Sequence, residues 1–204
     1  MSEAATGVAL GYEPPADLGE RRIWILSGGS HRTGPLSASQ RKRLLAAVLD
    51  VQSDLYTRLV LLGVEVEGLR PAGRSALRDR IAFLPADGGL LSSLNAWENI
   101  VLPVGFHRGR RQDEVVEEVY GMLTGLGADP AVLLAKLPER MSPFEKKLTG
   151  YVRIALEKPD LVLAEDLQGG LDPEEREAAD RFPAAYLERC PGGTFVRLEA
   201  AFAP

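Results

Sequence analysis

The stretch Leu137–Glu174, LPERMSPFEKKLTGYVRIALEKPDLVLAEDLQGGLDPE, reads as a helix, a buried strand and the start of a second helix. Ser142 and Glu145 form a capping-box pair, with Pro143 at the first helical position, where its fixed φ suits the helix and its missing N–H is not needed. This predicts a helix from Ser142 to Leu156. Lys158-Pro159 leads out of it, and Leu161-Val162-Leu163-Ala164 is a continuous apolar run, the pattern of a parallel strand covered on both faces. Two acids, Glu165 and Asp166, stand at the end of that strand. After Gly169-Gly170, the run Asp172-Pro173-Glu174-Glu175 is an N-cap with an acidic first turn.

The same alternation extends in both directions. Toward the N-terminus, Arg22-Ile23-Trp24-Ile25-Leu26 is a short apolar run ending in the turn Ser27-Gly28-Gly29. Ser37 and Gln40 form another capping box, followed by Leu44, Leu45, Val48 and Leu49 on one helical face. Arg58–Val66 and Arg80–Pro85 are strand-like, and a last strand is expected over Thr194–Leu198. Between them, about 92–140, the pattern is helical: Val115, Val119, Met122 and Leu126 recur every three or four residues. Strands separated by helices predict one α/β domain over 1–204, a mostly parallel sheet flanked by helices with a helical subdomain inserted.

Composition narrows the function classes. The 204 residues carry 24 Lys and Arg against 29 Asp and Glu, a net charge of -5, with no basic stripe for nucleic acid. The single cysteine, Cys190, excludes a disulfide framework and a cysteine-rich metal site, which suits a reducing compartment. Met1–Leu18 lacks the basic start and apolar run of a signal peptide, and no stretch approaches the ~20 apolar residues of a membrane span. A cytoplasmic location is expected, with the membrane reached only through a partner.

Two ungapped stretches carry a resemblance. Ile81–Pro103, IAFLPADGGLLSSLNAWENIVLP, is similar to the Q-loop segment of the ATP-binding subunits of ABC transporters, and Leu137–Glu174 resembles their signature motif, Walker B strand and D-loop. The resemblance implies a P-loop NTPase-like fold. It also invites a check of each place where that family does chemistry. The phosphate-binding pattern G-x-x-x-x-G-K-[ST] cradles phosphates with backbone N–H groups while its Lys adds a charge. Gly29, Ser30, His31, Arg32, Thr33 and Gly34 align with it as a degenerate nucleotide-binding loop, with Pro35 and Leu36 at the lysine and hydroxyl positions. Proline brings neither charge nor N–H, and losing one charged hydrogen-bond donor costs about 1.5–3 kcal/mol. Arg32 or His31 could substitute in part. Alternatively, Gly34-Pro35 simply starts a helix.

The remaining motifs are altered too. Ala86, beside Asp87, stands where the Q-loop glutamine would be, and Met141-Ser142-Pro143-Phe144-Glu145 keeps only the serine of the signature. Ser142 either contacts a nucleotide across a dimer or starts its helix. Glu165-Asp166 reverses the Walker B order, so Glu165 is the candidate metal ligand and both acids are catalytic candidates only if the chain is active. Asp172 either makes a nucleotide or dimer contact or caps its helix. No histidine follows the last strand.

The resemblance therefore implies a non-catalytic, ATPase-deficient homologue acting as a structural or regulatory partner in a membrane transport complex, with no cofactor or with ATP and Mg²⁺ held weakly. The alternative is an active or half-site ATPase subunit with a rearranged site. The implied partners are another ABC ATPase subunit, as homodimer or heterodimer, or a membrane permease at the inner face of the membrane. The groove that would receive a permease helix is lined by Leu90, Leu91, Leu94, Trp97 and Phe106, residue types equally at home in a core. The run Trp97–Pro103 resembles subfamilies that serve lipid or lipoprotein trafficking.

Overall fold

The computed structural model describes residues 11–12, 22–25, 29–32, 36–51, 58–107 and 111–199. Its elements are β1 Gly11–Tyr12, β2 Arg22–Ile25, β3 Gly29–Arg32, α1 Ala38–Leu49, β4 Arg58–Leu61, β5 Val64–Glu65, α2 Pro71–Arg78 and β6 Ile81–Leu84. There follow α3 Ala96–His107, α4 Val116–Gly125, α5 Pro130–Leu133, α6 Pro143–Glu157, β7 Leu161–Glu165, α7 Pro173–Asp180, α8 Phe182–Arg189 and β8 Thr194–Leu198. Short 3-10 turns lie at Gln112–Val115 and Pro138–Arg140.

β7 and β8 are the middle of an all-parallel sheet in the order β3-β8-β7-β6. Because side chains alternate along a strand, the apolar run of β7 supplies two cores. Val162 and Ala164, with Leu84 and Phe195, face α6, α8 and the helical layer of α3 and α4. Leu161 and Leu163, with Val196 and Leu198, face α1 and β4. A second sheet, β1-β2-β4-β5, is mixed: β2 and β4 run parallel, and the two outer pairs are antiparallel. The fold is thus α/β with a mostly parallel sheet flanked by helices, as the alternation of strands and helices predicts.

Local chemistry sets the helix starts. Ser37 caps α1, Ser142 caps α6 and Asp172 caps α7, each in a full capping box with the residue three positions on. α6 ends where Lys158 turns left-handed at φ 48°, just before Pro159. Tyr151 of α6 stacks on Phe182 at 4.4 Å and joins α6 to α8. Among the described residues, no helix is long and apolar enough to cross a membrane.

One element differs from expectation. Gly29–Arg32 is not a loop but β3, paired in register with Thr194–Arg197 of β8. A polar tetrapeptide gives little strand signal, and the backbone pairing to β8 overrides that local reading. β3 ends at Arg32 and α1 starts at Ala38, so only 33–37 connect them, with one glycine, Gly34.

Candidate functional site at the end of β7

In open parallel sheets, ligands lie beyond the carboxyl ends of the strands. Here that edge carries Glu165 and Asp166. Strand alternation puts Glu165 on the α1 side, where Arg41 Nε stands 3.5 Å from Glu165 Oε1. Nε and Nη1 of Arg41 are buried with no hydrogen-bond partner. This cation is held loosely by one carboxylate.

Asp166 follows in a left-handed conformation, φ 43°. Its N–H donates to Leu198 O at 3.2 Å, and its carbonyl accepts from Gly169 N at 3.1 Å and from Lys147 Nζ at 2.7 Å. Its carboxylate folds over its own turn, so that a Cβ added at Gly169 would lie 2.0 Å from Oδ2. A side chain at 169 would displace this carboxylate, so the Gly169-Gly170 turn and the Asp166 rotamer fit together.

Lys147 reaches this edge from the α6 side and is 2% exposed. Burial pulls its ammonium below the ordinary lysine value, while Asp166, Asp87 and Glu165 oppose the shift. The residues from β6 into α3 are fastened beside it. Asp87 Oδ1 accepts the Gly89 N–H at 3.0 Å, closing its own turn. Gly88 and Gly150 meet backbone to backbone: a Cβ at Gly150 would lie 2.3 Å from Gly88 O, and one at Gly88 would lie 2.2 Å from Lys146 O. Arg153 donates to Gly89 O at 2.7 Å and Gly88 O at 3.2 Å. On the far side, buried Asn99 accepts from Leu91 N and donates to Leu91 O, Leu94 O and Asn95 O. Ala86 brings no polar side chain to this segment.

Ser142 lies at a separate corner, engaged by acids. Its Oγ accepts the Glu145 N–H at 3.1 Å and donates to Glu175 Oε1 at 3.4 Å. Glu145 in turn accepts the Ser142 N–H at 2.9 Å and Lys136 Nζ at 2.7 Å. Asp172 Oδ1 accepts the Glu175 N–H at 2.9 Å. Lys136 answers the charge of Glu145, which leaves Glu175 as the carboxylate engaged with the Ser142 hydroxyl.

The described part of the sequence-derived loop, Gly29–Arg32, lies on β3 rather than beside Glu165. Gly29 and Ser30 lie on β3, and β8 separates β3 from β7, so the two strands are roughly 10 Å apart. The expectation that 29–34 form a phosphate loop is corrected for 29–32: their backbone groups face β8. Thr33, Gly34 and Pro35 lie outside the described residues, and His31 is described by its backbone only. Arg32 extends to Asp180 at 3.6 Å and to Glu199 at 3.9 Å. Of the groove residues, Leu90 and Trp97 are half-buried against the main core, Leu94 is half-buried, and Leu91 is 50% exposed. The Phe106 side chain lies outside the described residues.

A magnesium ion needs several oxygen ligands in octahedral array. The donor set here does not fit one: Glu165 faces Arg41, the Asp166 carboxylate is folded onto Gly169, and no cluster of three or more His, Cys, Asp or Glu suited to a metal occurs among the described residues. Sequence reasoning missed the two basic residues at this edge. Lys147 had a signal, because with Tyr151 and Ile154 it occupies the buried stripe of α6, where a lysine calls for a partner. Arg41 had none beyond its place in the first turn of α1.

No protein-family profile matches the chain. It is similar to the lipoprotein-releasing system ATP-binding protein LolD of Roseobacter denitrificans, 31% identical over 134 residues, covering 65% of this chain and 58% of that protein. It is similar to the methionine import ATP-binding protein MetN of Cupriavidus necator, 25% identical over 138 residues, covering 68% of this chain and 39% of that one. The chain thus spans less than two thirds of these relatives. Among solved structures, CbiO1 of Clostridium perfringens, part of the ABC transporter complex cbiONQ, superposes with a TM-score of 0.69 at 16% identity, covering 90% of this chain and 71% of that one. The sequence relatives and the fold agree: the chain is similar in sequence to ATP-binding proteins of ABC transporters, and its parallel sheet with a helical layer is the fold of that family's solved structures.

Proposed function

We propose that this chain is a non-hydrolysing member of its family that serves a membrane transport complex as a structural or regulatory subunit, in the cytoplasm at the membrane's inner face. The observation that carries the reading is the self-engagement of the chemical positions. Glu165 is paired to Arg41, the Asp166 carboxylate is folded over Gly169, and Ser142 is bonded between Glu145 and Glu175. A site whose carboxylates lie even about 1 Å from working geometry loses roughly 10²-fold in rate. The partner is another ABC ATPase subunit or a permease. The relatives' names support that, since CbiO1 is part of a transporter complex and LolD belongs to a lipoprotein-releasing system. The docking site is the set Leu90, Leu91, Leu94, Trp97 and Phe106, and among those whose side chains are described Leu91 is the exposed anchor.

ATP turnover by the purified chain tests the reading. Release of phosphate is expected to stay at the buffer background with and without Mg²⁺. Turnover clearly above background that disappears in Asp166→Asn would overturn it. The retained pair Glu165 and Asp166 favours one second reading, a degenerate half-site in a heterodimer. Micromolar Mg-ATP binding by calorimetry supports that alternative, and no detectable heat supports the structural role.

A further inference from the structure

Two cations from opposite faces of the sheet meet the acids at the end of β7. From α1, the Arg41 guanidinium stands 3.5 Å from Glu165 Oε1, with Nε and Nη1 buried and unpartnered. From α6, Lys147 is 2% exposed, and its Nζ donates to Asp166 O at 2.7 Å in the field of Asp166, Asp87 and Glu165. A lysine on the buried stripe of a helix carries a large desolvation cost, so it persists where it neutralises charge that would otherwise be stranded. Without these cations the end of β7 would carry uncompensated negative charge from Asp166, Asp87 and Glu165, which attracts a divalent ion by long-range electrostatics even though the carboxylates are not gathered into a ligand cluster. With them, most of the charge is already answered, and an incoming cation is repelled by an ammonium that cannot move into solvent.

We propose that Lys147, with Arg41, is a built-in counter-ion that takes the place of a divalent cation at the end of β7 and keeps such ions out. The idea deepens the proposed absence of hydrolysis at the same carboxylates. It is read through cation uptake, so its failure and that of the ATPase reading are distinguishable.

The test is a Mn²⁺ titration of the full chain, with free Mn²⁺ followed by electron paramagnetic resonance. Wild type is expected to show no Glu165-dependent uptake below about millimolar Mn²⁺. Lys147→Gln is expected to bind at least tenfold more tightly, and Lys147→Gln with Glu165→Gln to lose that gain. Sub-millimolar uptake by wild type that Glu165→Gln removes overturns the proposal. So does a folded Lys147→Gln, checked by circular dichroism, that binds no more tightly than wild type. If Lys147→Gln does not fold, Arg41→Gln gives the second reading: tighter uptake than wild type is expected, and unchanged uptake overturns the proposal.

Discussion

The two faces that meet at the end of β7 are built to different standards. On the α6 side the contacts that fasten this edge are short: Lys147 to Asp166 O at 2.7 Å, Arg153 to Gly89 O at 2.7 Å, and Gly88 against Gly150 with no room for a side chain. On the α1 side Arg41 approaches Glu165 at 3.5 Å and leaves two buried N–H groups unpartnered. The first face is framework, because unsatisfied or displaced groups there would cost several kcal/mol. The second is looser, since the desolvation of two unpartnered Arg41 N–H groups offsets much of what a 3.5 Å ion pair contributes. Helix α6 and helix α1 pack on opposite faces of the sheet through separate cores, so the two sides meet at β7 with different contacts.

Substitutions can break this contrast, and the largest effect belongs to Lys147. Lys147→Ala strands the carbonyl of Asp166 and the nearby carboxylates, and is expected to cost about 3–5 kcal/mol by urea denaturation. A cost under about 1 kcal/mol would show that α6 is no tighter than α1. Next is Gly150→Ala. Alanine gains roughly 1 kcal/mol in helix propensity, but the added methyl meets backbone at 2.3 Å, so a net loss of about 1–3 kcal/mol is expected. A stabilised variant would mean that the Gly88 segment yields easily. Ser142→Ala removes a helix cap and should lower stability by about 1 kcal/mol, read as a shift in the thermal midpoint. Arg41→Met is expected to be smallest, within about 1 kcal/mol of wild type in either direction. A large loss there would make the α1 side part of the framework after all.

What was legible in the sequence was local. The capping boxes at Ser37, Ser142 and Asp172 involve side chains three residues apart, and the apolar run of β7 reports its own burial on both faces. The likeness to ABC transporter ATP-binding proteins was legible for the same reason, through ungapped stretches around α6 and β7. What escaped depends on residues brought together from afar. β3 is a strand because β8 lies beside it, and Gly29-Ser30-His31-Arg32 alone looks like a loop. The Arg41–Glu165 pair spans α1 and β7, and the Gly88–Gly150 contact spans the β6–α3 connection and α6. Lys147 lies between these cases, since its place on a buried stripe was visible but its partner was not.

The sheet order also has a consequence for how the chain is made. β8 stands between β3 and β7, pairing Gly29 with Thr194, two residues 165 positions apart (194 − 29). β6 and β7 can associate as soon as both have been synthesised, but β3 has no neighbour in the larger sheet until Thr194–Leu198 has left the ribosome. Synthesis at about 5–20 residues per second leaves that early strand unpaired for roughly 8–33 s, an interval in which polar residues such as Ser30 and Arg32 protect it from pairing with other chains better than an apolar run would.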